Sequence, residues 1–202
     1  MIIIVNYGMG NLGSMANMFK YIGVEARVES DPLAIERAKK IVLPGVGAFD
    51  MAMMRINDTL GLRDVLEQKA MQEGVPILGV CLGMQLLTSS SEEGTLPGLG
   101  WISASTLRFP KQDGLKVPHM GWNVATPNGQ SELTQDVGLD PRYYFVHSYR
   151  VHVHDPAHSL MRTDYGITFD SAIGRDNIFG VQFHPEKSHR FGMQILRNFA
   201  AL

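Results

Sequence analysis

Only one of the 202 residues is a cysteine, and its neighbours make it chemically conspicuous. The apolar run Val75-Pro76-Ile77-Leu78-Gly79-Val80 leads into Gly79-Val80-Cys81-Leu82-Gly83. A buried strand that turns sharply into a helix between two glycines holds its central side chain at the C-terminal edge of a sheet, as in a nucleophile elbow. The helix that follows, carrying Met84-Gln85-Leu86-Leu87, then directs backbone N–H groups and its positive dipole end at the sulfur, a setting that suits an anion. A lone cysteine is ordinarily a small buried hydrophobe. The flanking glycines argue for chemistry instead, because glycine is required where the backbone turns tightly or is closely approached.

A thiolate nucleophile needs a proton shuttle, and position selects one of the seven histidines. Ile178-Phe179-Gly180-Val181-Gln182-Phe183 reads as a strand and ends in His184-Pro185-Glu186. Residues two apart share a face in extended chain, so Glu186 can orient the His184 imidazole and stabilise its cationic form. Pro185 fixes the backbone between them. A third strand, Ile41-Val42-Leu43, ends in Pro44-Gly45-Val46-Gly47. Free N–H groups near Val46 and Gly47, with the N–H of Leu82 behind the nucleophile, would form an oxyanion hole for a tetrahedral intermediate.

These motifs together resemble the class I (triad) glutamine amidotransferases. Val117-Pro118-His119-Met120-Gly121-Trp122-Asn123, Tyr144-Phe145-Val146-His147-Ser148-Tyr149 and His184-Pro185-Glu186-Lys187-Ser188 narrow the likeness to the glutaminase subunits of imidazole glycerol phosphate synthases. The resemblance runs from the first strand to the last helix. It implies hydrolysis of glutamine to glutamate and ammonia through a Cys81 thioester, with Cys81, His184 and Glu186 as triad. It further implies that Gln85 contacts the glutamine, that Glu93 meets its ammonium, and that backbone around Ser148 and Tyr149 receives its carboxylate. Ammonia protonated in water is no longer a nucleophile, so a sealed path to a second subunit is expected. The resemblance makes that partner a (β/α)8-barrel cyclase of histidine biosynthesis, the complex counting as a lyase. Asn11, His119, Met120, Trp122 and Lys187 are placed at the contact. Similar modules serve other synthases, including enzymes that amidinate nucleotide sugars for surface glycans, and the catalytic motifs do not separate these.

The elements that must position these residues follow from short β-branched runs alternating with helical patterns. Strands are expected over Ile2–Asn6, Ala26–Glu29 and Lys40–Leu43, and helices over Ala48–Arg55 and Leu60–Glu73. Leu12, Met15, Phe19 and Ile22 mark a first helix, Asp31-Pro32 opens a short one, and Phe191, Ile195 and Phe199 mark the last. The expected fold is α/β: one domain over 1–202 with a mostly parallel, mixed sheet flanked by helices, flavodoxin-like, and an antiparallel extension from Ser89 to about residue 174. The segment Thr126–Pro141 reads as a variable loop. Active sites of such folds lie beyond the carboxyl ends of the parallel strands, and all three candidate pieces end strands.

With 18 basic and 20 acidic residues the net charge is −2, which leaves no basic footprint for nucleic acid. No cleavable leader or membrane-length apolar run is evident, and a cytoplasmic protein is expected. Gly8-Met9-Gly10-Asn11-Leu12-Gly13 fits the dinucleotide-binding fingerprint, with Glu29 ending the next strand, and taken alone would suggest an oxidoreductase. Such glycines also serve any tight strand-to-helix turn, and no second nucleotide-binding half is evident. His152-Val153-His154 and His158 alternate as a half-buried strand does and have no cysteine or carboxylate at ligand spacing. Neither metal nor cofactor is therefore expected. A binding module that keeps the elbow without turnover is disfavoured by the intact Cys-His-Glu set.

Overall fold

Alternation sorts the first strands into two apolar layers. Ile3, Val5, Ile41, Leu43 and Ile77 join one core with Phe49, Met53, Leu66 and Trp101, whereas Ile2, Ile4, Val42, Leu78 and Val80 join the other with Met15, Phe19, Phe183 and Phe199. Burial on both faces is what a parallel sheet between helical layers requires. In a computed structural model describing residues 1–202, this sheet begins β1 (Ile2–Val5), α1 (Leu12–Tyr21), β2 (Ala26–Glu29), α2 (Pro32–Ile35), β3 (Lys40–Gly45), α3 (Phe49–Asp58), α4 (Leu62–Glu67), β4 (Ile77–Cys81) and α5 (Leu82–Leu86). A π-helical turn, Gln68–Gln72, extends α4. The expected Leu60–Glu73 helix thus changes hydrogen-bond register midway, and Gly61 at φ 75° sets its start.

The chain continues through β5 (Ser90–Ser91), β6 (Ala104–Arg108), β7 (His119–Val124), β8 (Thr126–Pro127), β9 (Arg142–His147), β10 (Tyr149–Val153), β11 (Ser159–Tyr165), β12 (Ile167–Arg175), β13 (Ile178–Val181) and α6 (His189–Ala201). The main sheet runs β2-β1-β3-β4-β13-β12-β10-β6-β5. Its parallel part, β2-β1-β3-β4-β13, has the flavodoxin-like order 2-1-3-4-5. The extension is hydrogen-bonded into that sheet through the antiparallel β12–β13 pair instead of only packing on it. It also holds one parallel pair, β5–β6, and β7 with β9 forms a separate antiparallel ribbon.

The segment expected as a variable loop, Thr126–Pro141, is tied down. Thr126 and Pro127 pair with β11, Leu133 and Val137 are buried, and Asn198 donates to the carbonyls of Leu133 and Gln135 at 2.9 and 2.7 Å. Its turn-rich composition hid two apolar anchors. No helix is long and apolar enough to cross a membrane.

Register sets the strand ends level. Gly45 pairs with Cys81 across β3–β4, and Val181 pairs with Val80 across β13–β4. The elbow fits only because its glycines lack side chains: a Cβ on Gly83 would lie 1.8 Å from the Leu43 carbonyl oxygen, and one on Gly79 would lie 2.6 Å from that of Gly83. Gly83→Ala should therefore cost about 3 kcal/mol or more in urea unfolding, since a main-chain carbonyl cannot yield as a flexible side chain does. Gly13→Ala, in open space within α1, should instead raise stability by about 0.5 kcal/mol. A Gly83→Ala protein as stable as wild type would contradict this packing.

Candidate active site

Cys81 is the last residue of β4 and the cap of α5, with φ 56° and ψ −111°. That conformation is strained for a residue with a side chain, and the Gly79 and Gly83 contacts hold it in place. It also breaks the strand's alternation. Leu78 and Val80 point to one layer, and the next residue, Cys81, falls on the same layer at the sheet's edge.

His184 follows β13 and is pinned to β9. Its N–H donates to the Tyr144 carbonyl at 2.9 Å, the Ser188 hydroxyl donates to its carbonyl at 2.6 Å, and the Tyr144 N–H donates to that hydroxyl at 3.0 Å. The turn Pro185–Lys187 is clamped from behind by α6, where a Cβ on Gly192 would stand 1.9 Å from the Pro185 carbonyl oxygen. Within this frame the ring donates from Nδ1 to Glu186 Oε1 at 2.9 Å, both side chains being buried. Nε2 has no partner in hydrogen-bond geometry. Burial alone would lower the His184 pKa. The adjacent Cys81 sulfur and Glu186 carboxylate outweigh it and push the value up to about 10.

A cleft of about 360 Å³ opens over Cys81 and His184, within the size range of small-metabolite sites. Every residue expected in the oxyanion hole (Val46, Gly47, Leu82) or against glutamine (Gln85, Glu93, Ser148, Tyr149) lines it. Glu186 stays behind the imidazole. Glu93, which the sequence by itself reads as part of a solvated loop, accepts the Phe49 N–H at 3.1 Å. Asp50 accepts the N–H groups of Thr95 and Leu96 at 3.0 Å each, so this loop is strapped to the start of α3. Burial holds the Glu93 pKa above the ordinary carboxylate value, the Phe49 N–H opposing it.

Several neighbours escaped the sequence reading. Tyr7 donates to the Pro44 carbonyl at 2.6 Å, and burial followed by the Cys81 charge holds its hydroxyl pKa far above normal. Gln182 Nε2 lies 3.7 Å from Cys81 Sγ. The spacing that paired His184 with Glu186 extends one step back to Gln182, a signal that was present in the sequence. His147 lines the cleft and belongs to a buried chain of hydrogen bonds. Its Nδ1 contacts the Tyr149 carbonyl at 2.7 Å, its Nε2 contacts His119 Nδ1 at 2.9 Å, and His119 Nε2 contacts Asn123 Nδ2 at 3.3 Å. A carbonyl and an amide NH2 at the two ends assign the protons: both rings are neutral and carry hydrogen on Nδ1.

That pair corrects one expectation. His119 is 2% exposed, stacked 3.9 Å from the Tyr165 ring, and so presents no side chain to a partner, although its strand neighbours Met120 and Trp122 are 61% and 48% exposed. On β7 the two faces alternate, and His119 falls on the inner one. Lys187 and Asn11 are exposed. Trp122 stacks on His189 at 5.3 Å, and the Lys187 ammonium lies 5.6 Å from the Tyr144 ring centroid.

The glycines of the first turn are also accounted for by packing. Gly8 and Gly10 sit at φ 82° and 122° against Arg55 and Pro44. Gly13, the third of the fingerprint, makes no close contact, whereas a dinucleotide fold uses that glycine for tight helix–strand packing. In the other suggestive cluster, both ring nitrogens of His154 are taken by the hydroxyls of Ser103 and Ser105.

Acid should therefore destabilise the protein through the two buried rings. Burial lowers the pKa of His119 to about 4 and, with the charge of His119 and His184 added, that of His147 to about 3. A base held neutral in the fold takes up protons first when unfolded, so stability is full above about pH 6.5 and falls as pH drops toward 4. His184 has the opposite sign: its contribution is full below about 6.5 and is lost as pH rises through about 10. Imidazole NMR titration should find His119 and His147 unprotonated at about pH 5. Midpoints near the free value would contradict the buried neutral pair.

Comparison with known proteins identifies the family. Residues 3–202 match the family model "Glutamine amidotransferase class-I". The chain is 51% identical over 199 residues to imidazole glycerol phosphate synthase subunit HisH 2 of Methanococcus maripaludis, covering 98% of each. It is 47% identical over 202 residues to the subunit HisH 2 of Pseudomonas aeruginosa, covering all of both chains. The fold resembles the structure of PurLQS from Thermotoga maritima with a TM-score of 0.75 at 16% identity, over 98% of this chain and 96% of that one. The chain thus belongs to the class-I glutamine amidotransferases, and within them to the family of imidazole glycerol phosphate synthase HisH subunits.

Proposed function

We propose that the chain acts as a single glutaminase domain of imidazole glycerol phosphate synthase in histidine biosynthesis, releasing ammonia from glutamine for a second subunit. The observation that carries this reading is a cysteine held at positive φ beside a histidine whose far nitrogen is fixed by a buried carboxylate. In this mechanism the Cys81 thiolate attacks the side-chain amide carbon of glutamine. N–H groups of Val46, Gly47 and Leu82 receive the developing oxyanion. His184, kept cationic by its neighbours, protonates the leaving nitrogen, and ammonia departs. The now neutral ring then activates water to release glutamate from the thioester, while Glu186 keeps it oriented. The walls of the cleft suit the amino-acid head of the substrate: Glu93 for the ammonium, backbone near Ser148 and Tyr149 for the carboxylate, Gln85 beside the amide. No step needs a metal or an organic cofactor.

Freed ammonia would protonate in bulk water, so its acceptor must be docked. Met120 and Trp122 on β7, Lys187 beyond the triad and Asn11 at the start of α1 offer an exposed apolar and polar surface near the cleft, with α1 packed against the Pro185–Lys187 turn. A (β/α)8-barrel cyclase is the partner this reading requires, and the lyase reaction belongs to the complex.

Cys81→Ala should lower glutamine hydrolysis by roughly 10³-fold or more while leaving far-UV and near-UV spectra unchanged. Hydrolysis that survives in the folded variant overturns the assignment. For the docking face, Trp122→Ala should weaken association with the cyclase subunit by about tenfold or more, read by calorimetry. Unchanged affinity would remove this face from the contact. Glutamine-dependent turnover with a nucleotide-sugar acceptor, and none with the cyclase, would assign the ammonia to a different synthase.

A further inference from the structure

Gln182 takes no part in the steps above, yet its side chain is fully buried and touches the sulfur. The orientation of its amide is fixed from outside. The Tyr149 carbonyl can only accept, so the group of Gln85 that meets it at 3.3 Å is the NH2. That NH2 also reaches Gln182 at 3.0 Å and must find an oxygen there. Gln182 therefore turns Oε1 to Gln85 and its own NH2 to Cys81, with Nε2 3.7 Å from Sγ.

We propose that Gln182 is a catalytic residue of the thiol step, donating from Nε2 to the Cys81 sulfur and thereby favouring thiolate over thiol. An N–H donor binds an anionic sulfur more strongly than a neutral one, so the contact lowers the free energy of the charged form. It also divides the labour at the site. His184 Nε2 lies close enough to the sulfur for the two to stabilise each other's charge but outside hydrogen-bond geometry, while the sulfur also has an amide donor that cannot lose a proton near neutral pH. The imidazole proton is thus left available for the leaving nitrogen. The inference rests on Cys81 being the nucleophile.

The test is the pH dependence of Cys81 alkylation by iodoacetamide in the full chain, followed by mass spectrometry. Gln182→Glu keeps an oxygen for Gln85 but places a second acceptor at the sulfur; Gln182→Met keeps the bulk and removes both bonds. The alkylation midpoint should rise by about one pH unit or more in Gln182→Glu and by less in Gln182→Met. A merely structural side chain would lower the melting temperature and leave the midpoint in place. A folded variant whose profile overlays that of wild type overturns the proposal. Should neither variant fold, the wild-type protein decides it by NMR: the Gln182 side-chain amide protons should shift as the thiol ionises, and this movement should vanish in Cys81→Ala. Protons that do not move overturn it. Glutaminase activity that persists after complete Cys81 alkylation would instead overturn the nucleophile itself, whatever the midpoint.

Discussion

The close approach of α5 to β3 is the constraint on which the rest of the site depends. Gly83 lies so near the Leu43 carbonyl that no side chain fits between them, and Gly79 is closely covered by the Gly83 carbonyl. This contact forces β4 to turn at once into α5 and puts Cys81 in a backbone conformation it would not adopt alone. The same approach brings Leu82 to the cleft that Val46 and Gly47 also line, because Gly45 and Cys81 are register partners. A small steric fact thus places Cys81 and the Val46–Gly47 turn on one edge.

Opposed electrostatics share this edge. His184 is buried, which by itself disfavours its charge, but the sulfur and the Glu186 carboxylate keep it cationic. On the β7–β9 ribbon His119 and His147 are buried among Phe109, Phe145 and Phe169 with each other, a carbonyl and an amide for company, and burial keeps them neutral. The difference is one carboxylate and one thiol. Three histidines of the same intrinsic pKa are thereby divided into one charged ring and two neutral ones. The neutral pair joins the strand that exposes Met120 and Trp122 to the Tyr149 carbonyl in the cleft wall, so that exposed face and the cleft are linked by one chain of hydrogen bonds.

Much of this was legible before any fold was known. The glycine-flanked Cys81, the His184–Glu186 spacing and the strand-ending Pro44–Gly47 turn each carry a local signature, and the short apolar, β-branched runs before them name the strands that hold them. Other readings failed for identifiable reasons. Thr126–Pro141 is turn-rich and reads as a loop, but the docking of Leu133 and the bonds from Asn198 come from α6, 63 to 65 residues further along the chain. His119 lies in a surface-bound motif, and only the pleat of β7 shows that its ring turns inward while Trp122 turns outward. Glu93 looks solvated until Asp50 straps its loop to α3.

Residue types and local spacing determined which groups can react, since a thiol, an imidazole and a carboxylate have their chemistry wherever they stand, and alternation set which of them share a face. The tertiary structure decided their company. Strand order brings β3, β4 and β13 together from positions up to 140 residues apart, and only that proximity tells which histidine is charged, which glutamine meets the sulfur and which loop is held. Desolvation and Coulomb interaction act through space and fall off within a few ångströms, so the sequence cannot carry them until the chain has folded.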